Sequence, residues 1–319
     1  MTTYIVRRLI QALVVLILVT LIVFFVMRLL PGDPILIYVA QSAELQAMPP
    51  EMLDRLRAEF GLDKPIMVQY ANWMSGIFQG DFGDSIFYRE KVGTLMLERF
   101  PVTLHLGVLA LILGAIFGVL AGLLAAVRRG KWVDKVITPL TYVGITIPVF
   151  LLGILMIYAF GLKLGWFPIS GYTSPLDDFW LSTRQLTMPV ICLAAFGLAA
   201  NARQMRSSML EVTRQDYIRT AWSKGLSERK VITGHAMKNS LIPVITLMGI
   251  GISIIFGGSV LVETVFAIPG VGRLLVSSIF AQDYLVVQAI TFVIAVIVLL
   301  VNLIVDISYA WLDPRIRYG

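Results

Sequence analysis

Six stretches of this chain are apolar over a length that suits a bilayer crossing: Leu9–Met27, Val102–Val127, Val136–Leu162, Leu186–Ala202, Asn239–Val262 and Tyr284–Val305. About 20 mostly apolar helical residues span the hydrocarbon. Inside it, backbone polar groups must be paired within the segment, which selects helices. This expectation of an all-α, polytopic membrane protein with six transmembrane helices leaves little room for a soluble domain. Composition agrees: mean hydropathy is +0.83 and charged residues make up 14%, against about 25% in ordinary soluble domains. The fourth stretch is the shortest and carries Pro189 and Asn201. The first begins at the N-terminus, but its apolar core exceeds a signal peptide's, and no small-x-small cleavage site precedes Pro31. It reads as a retained helix.

Lys and Arg set the orientation. With both termini in the cytoplasm, inner segments hold sixteen of the 26 basic residues, eight of them between Arg203 and Lys238. The net charge of +6 is thereby topological, and nucleic acid is not needed to explain it. Cys192 is the single cysteine and permits no intrachain disulfide. His105 and His235 are expected on opposite sides of the bilayer, so they do not share a metal.

Three regions follow: 1–30 with the N-terminal tail and first span, 31–100 as an extracytoplasmic helical insert, and 101–319 as a five-helix core with a cytoplasmic loop at 203–238. "LPGDP" must end the first helix at Pro31. In "PPEMLDRLRAEFGL", Met52, Leu53, Leu56 and Phe60 recur at helical spacing, and Gly61 stands where a left-handed C′ residue belongs. Ile66, Tyr70, Trp73, Met74 and Ile77 repeat the pattern, "GDFGDS" reads as a turn, and a third short helix is expected to end near "ERFP". The insert reads as a cap on the outer mouth. Its faces are mixed in sign, unlike the basic face of an interfacial helix.

Gly114, Gly118 and Gly122 in the second span, and Gly249, Ser253 and Gly257 in the fifth, are spaced for close helix approach. Each set reads either as packing or as a sliding surface lining a path, with Thr246 beside the second. Pro148 and Pro189 predict kinks. Asp306 and Glu263 lie near span ends, and no span shows an ionisable residue near its middle, which argues against an ion-coupled carrier. Thr246, Ser253, Gln288 and Asn302 read as interhelical hydrogen-bonding residues. No G-x-x-x-x-G-K-[ST], H-E-x-x-H, G-x-S-x-G or C-x-x-C occurs in the sequence, so nucleotide and catalytic chemistry are not expected in this chain.

The longest polar run between spans is "DYIRTAWSKGLSERKVITGHAMKNSLIP". Asp216 can cap a short helix placing Tyr217, Ile218, Ala221 and Trp222 on one side, and Gly225 can end it. Ser227 can cap a second helix through Val231, Ile232 and His235, which joins the fifth span near Pro243. The pattern suits a protein-docking lever; a hairpin lying on anionic lipid is the alternative.

This run resembles the EAA loop of permease subunits of binding-protein-dependent ABC importers, in the dipeptide/oligopeptide branch. "YIVRRLIQAL", "LLPGDP", "FGLDKPIMVQYANWM", "GDFGDS", "ETVFAIPGVGRLL" and "LDPRIR" extend the resemblance to the first permease of that branch's heterodimeric pair. The family's Glu-Ala-Ala triplet falls on Arg219, Thr220 and Ala221, of which Ala221 matches, and its glycine falls on Gly225. Its leucine-proline lands on Met237 and Lys238, with a proline only at Pro243. The resemblance implies a type I ABC importer permease of the bacterial inner membrane. A coupling helix at Tyr217–Lys224, including Ile218, Arg219, Thr220, Ala221 and Trp222, would seat in separate ATPase subunits. Those two ATPases would use ATP and Mg; this chain would bind no cofactor. A second homologous permease and an extracytoplasmic binding protein complete the implied assembly. Peptides are the implied cargo, with nickel chelates, glutathione-like thiols or oligosaccharides as alternatives. An autonomous channel or ion-coupled carrier is the alternative class.

Overall fold

The computed structural model describes residues 2–41 and 49–312. Thirteen helical segments follow in order: α1 Thr2–Leu29, α2 Pro34–Gln41, α3 Pro50–Glu59, α4 Ile66–Phe78, α5 Val92–Val127, α6 Trp132–Thr146, α7 Val149–Met156, α8 Phe179–Val212, α9 Asp216–Ser223, α10 Glu228–Lys230, α11 Met237–Val265, α12 Val271–Phe280 and α13 Tyr284–Leu312. Wider i→i+5 turns extend α7 through Lys163 and join α10 to α11 across Val231–Ala236. Among the described residues five helices are long and apolar enough to cross a membrane, and a sixth crossing requires α6 and α7 together.

That pair is bent by 108°. Pro148 lacks an N–H and pushes the preceding residue out of the helical region, and Ile147 accordingly has φ −68°, ψ 127°. The expected kink is a break. Pro189 behaves otherwise and remains inside α8, as Pro243 does inside α11. The α8 helix also runs well beyond the apolar stretch 186–202. Its start is fixed by Asp178, whose Oδ1 accepts from the Leu181 N–H at 2.9 Å.

The chain divides into two compact units, Met1–Val102 with Pro269–Leu303 and Thr103–Ile268 with Ile304–Arg317. In the first, Val92, Leu95 and Met96 pack with Val271, Leu274, Val286 and Ile290. Leu56 and Trp73 supply the buried positions of α3 and α4, while Met52 and Ile66 stay exposed. The α3 end is a Schellman cap: Gly61, at φ +66°, donates to the Ala58 carbonyl and Leu62 to that of Arg57. Tyr70 and Trp73 of α4 meet Phe24 of α1 at ring separations of 5.1 and 6.1 Å. The insert thus packs on the chain's own first span. The first helix ends at Leu29, before "PGDP" as expected, and the chain resumes as α2, started by Asp33 Oδ1 accepting from Ile35 N. One local expectation is corrected: the helix ending near "ERFP" is the first part of α5, continuous through Pro101.

Asp283, at the start of α13, is fully buried. Its Oδ2 accepts from Ser85 Oγ and from Phe87 N at 3.1 Å. Burial pushes this carboxyl above its ordinary range, and the two donors oppose that rise.

In the second unit α8 is central. A Cβ on Gly118 would lie 2.7 Å from the Leu198 carbonyl oxygen, and one on Gly144 2.8 Å from Ala199 Cβ. The missing side chains let α5 and α6 reach the α8 backbone. Asn201 Nδ2 donates to Gly114 O at 3.2 Å, using the mid-span amide to fasten the same contact.

Candidate functional site

The polar loop folds into α9, a glycine bend, and a helix that continues without interruption from Glu228 to Val265. Asp216 is the first residue of α9, and Gln215 holds the extended position before it, with no side-chain cap. The expected capping role of Asp216 is therefore corrected to a carboxylate in the first turn, where the helix dipole favours it by roughly 0.3–1 kcal/mol. Its contact with Arg219, 3.7 Å between two exposed side chains, adds little. Gly225 adopts φ +76° and donates to the Trp222 carbonyl at 2.9 Å. A side chain there would be forced into the left-handed region, at about 1–2 kcal/mol.

The four residues expected on one side of α9 divide. Ile218 and Ala221 are buried against Met205 and Met209 of α8 and Val231, Ala236 and Val244 of the following helix. Fully burying the isoleucine is worth roughly 1.5–3 kcal/mol. Tyr217 and Trp222 are each 43% exposed, and Arg219, Thr220 and Gly225 are exposed with them. Trp222 is thereby free to meet another surface. Tyr217 is partly engaged: its hydroxyl accepts from Asn239 Nδ2 at 2.7 Å.

This arrangement joins α9 firmly to the base of α11. Apolar contact and the Tyr217–Asn239 bond both land on the N-terminal part of the long helix. The sequence pattern placed Val231, Ile232 and His235 together. The i→i+5 turn buries Val231 and Ala236 and leaves His235 exposed, a phase shift that a 3.6-residue period does not reveal.

A second fastening went unread in the sequence. Arg206 of α8 grips Asp134 of α6 with both nitrogens, Nε to Oδ1 at 2.7 Å and Nη2 to Oδ2 at 2.9 Å. Gly130 N and Thr138 Oγ1 also donate to that carboxylate, each at 2.9 Å. A bidentate pair with further donors fixes orientation as well as distance. The only sequence signal is an acidic residue in a helix first turn; its partner lies 72 positions away.

Between α5, α8, α11 and the broken α6–α7 junction lies a cavity of about 490 Å³. Gly197, Gly251, Gly257 and Gly258 line it, and Asn201 is its one polar side chain among the described residues. Of the residues expected on a path, Gly257 lines this cavity. Gly249 is buried against Val305 instead. Thr246 Oγ1 returns a hydrogen bond to Ile242 O of its own helix, and Ser253 is half-buried. Glu263 is fully buried and accepts from Thr103 Oγ1 at 2.7 Å. The side chain of Asp306 lies outside the described residues.

Residues 1–107 match the N-terminal family of binding-protein-dependent transport system membrane components, and residues 118–318 match the binding-protein-dependent transport system inner membrane component family. The chain is 39% identical to the di/tripeptide transport system permease protein DppB of Pseudomonas aeruginosa (strain UCBPP-PA14), over 94% of each chain. It is 38% identical to the glutathione transport system permease protein GsiC of Escherichia coli (strain K12), over the full length of both. Among solved structures, a chain of the MetNI methionine ABC transporter is similar with a TM-score of 0.56 at 16% identity, covering 69% of this chain and 96% of that one. This last likeness concerns fold alone. Five apolar helices of crossing length, a bent pair that can supply a sixth, and two family matches that together cover nearly every residue converge: the chain belongs to the binding-protein-dependent transport system inner membrane component family, as an all-α permease subunit of an ABC importer.

Proposed function

We propose that the chain forms half of a peptide-import path in the bacterial inner membrane, with both termini cytoplasmic, and that α9 is the surface on which separate ATPase subunits act. Two ATPases bind ATP and Mg, a second homologous permease completes the path, and an extracytoplasmic binding protein delivers the solute. One observation carries the coupling role. The α9 helix buries Ile218 and Ala221 in its own chain while Trp222 stands exposed beside Arg219 and Thr220. A helix held from behind with an aromatic presented in front fits the anchor of an interface. Gly225 fixes the bend behind it, and the Glu228–Val265 helix, bearing Gly257 on the cavity, would carry the motion inward. Peptide cargo is supported by the name of the Pseudomonas relative. The Escherichia relative's name supports a second reading, glutathione, itself a small peptide-like solute.

Trp222→Ser tests coupling. An exposed position costs the fold little, within about 0.5 kcal/mol, so the variant should insert and co-purify. ATP-driven dialanine uptake by proteoliposomes holding the whole assembly should fall about tenfold or more. Unchanged uptake, or equal dialanine flux through the purified chain alone, would rule out the role assigned to α9.

A further inference from the structure

The turn between α5 and α6 concentrates positive charge. Arg128, Arg129 and Lys131 occupy it and Lys135 follows at the start of α6, all four exposed. None of the four has a side-chain hydrogen bond or ion pair with any described residue. Asp134, the acid in their midst, is buried and committed to Arg206, Gly130 N and Thr138. The turn is also held in shape. Gly130 sits at φ +76°, and Lys131 N donates to Arg128 O at 2.9 Å. No side chain caps α6, so its first N–H groups add the positive end of a helix dipole beside the cations.

An apolar stripe starts at the same place. Trp132, Val136, Leu140 and Val143 recur at helical spacing on α6 and are 73%, 49%, 61% and 55% exposed. Val133, Asp134 and Thr141 take the buried side. From Trp132 to Val143 the helix rises about 16 Å. Half of a hydrocarbon core of about 30 Å is nearly the same length. The helix then ends at Thr146, where the chain bends into α7. A basic cluster at one end of an apolar strip one leaflet long complements an anionic head on an apolar tail. The indole between them belongs at the headgroup level. A second copy of this chain meeting the same face would set its own four cations against these.

We propose that this corner binds an anionic phospholipid, with the headgroup phosphate against Arg128, Arg129 and Lys131 and an acyl chain along Trp132, Val136 and Leu140. Basic clusters beside membrane helices attract such lipids through charge. The Asp134–Arg206 pair prepares the site: it ties the start of α6 to α8 and neutralises the acid within the basic run. The proposal rests on the membrane reading of the chain, and neither on the solute carried nor on the role of α9.

The test uses the full chain with the subunits that accompany it, in phosphatidylcholine nanodiscs. Increasing shares of phosphatidylglycerol or phosphatidylcholine brominated on the acyl chains are added. Quenching of Trp132 is read as the difference between wild type and Trp132→Phe, since the chain holds six tryptophans. Brominated phosphatidylglycerol should quench that signal at about a tenfold lower mole fraction than brominated phosphatidylcholine. Each basic residue near the surface favours an anionic lipid about fivefold. The triple variant Arg128→Gln, Arg129→Gln, Lys131→Gln, compared with its own Trp132→Phe derivative, should therefore lose the preference. All three side chains are exposed, so its melting temperature should stay close to wild type. Molar salt supplies a second measurement on the unaltered protein and should also reduce the preference. Equal quenching by the two lipids, or a preference undiminished in the triple variant or in salt, would overturn the site. So would a Trp132 signal quenched by neither lipid, because a protein neighbour would then cover the stripe. Each of these outcomes leaves dialanine uptake and the α9 reading untouched, since those rest on transport.

Discussion

Along α5, Gly114, Gly118 and Gly122 face the backbone of α8, whereas along α11 Gly249 meets one side chain and Gly257 has nothing within 4 Å of its would-be Cβ. Both sets share the four-residue spacing that brings helices together. In the first, the gap is filled by a neighbour's peptide groups, and a Cβ on Gly122 would crowd the Ala202 carbonyl and lie 2.7 Å from Met205 Cβ. In the second, the spacing leads from a filled contact at Gly249 to an open cavity wall at Gly257. The same motif therefore builds a fixed seam on one helix and a free surface on another. What differs is the partner: rigid backbone, movable side chain, or empty space.

Substitution at the seam should give the largest effect. Gly118→Val puts branched atoms where a Cβ alone would be 2.7 Å from Leu198 O and 2.8 Å from Asn201 Cβ. Neither is the end of a flexible side chain, so α5 must move away from α8. Overpacking of this kind costs about 3 kcal/mol, measurable as reversible unfolding in mixed micelles. Wild-type stability for Gly118→Val would mean that the two helices are not held at this separation.

At Gly249 the partner can yield. A Cβ there would come 2.5 Å from Val305 Cγ2, a side-chain atom. Gly249→Ala gains about 1 kcal/mol of helix propensity and loses somewhat more to the collision, for a net loss of about 1 kcal/mol in the same unfolding assay. Adding Val305→Ala should restore most of it. A double variant no better than the single one would show that the collision is not with Val305.

The contrast between these positions also shows how far a sequence carries. The apolar runs made the crossings legible, because hydrocarbon demands length and composition that any window reveals. Gly61 and Gly225 were legible as helix ends, because a left-handed residue is a local requirement. Proline was legible only by half. Pro148 and Pro189 present the same missing N–H, yet one breaks its span and the other is absorbed, and the neighbours that decide this lie elsewhere in the chain. Tyr217 and Ile218 are adjacent and both apolar enough to bury; which is covered depends on Met205 and Met209 of α8 and on Val231, Ala236 and Val244, all contacts from outside α9. Asp134 and Arg206 had no local signature of their pairing. Gln288 read as an interhelical hydrogen bonder and instead has no partner, a distinction that requires coordinates for every surrounding polar atom.

Gly257→Ala should have the smallest effect, with the opposite sign. No atom lies within 4 Å of the added methyl, so nothing collides. Replacing glycine in a helix interior recovers about 0.5–1 kcal/mol of conformational entropy, and the chain should become slightly more stable than wild type. Gly257 also lines the large cavity, so under the import reading the added methyl should lower dialanine uptake modestly even as stability rises. A loss of stability at Gly257 comparable to that at Gly118 would make the two stripes alike, and α11 would then be packed along its whole length. A gain in stability with lower uptake separates them: on α5 Gly118 and Gly122 serve contact between helices, and on α11 Gly257 serves the space beside it.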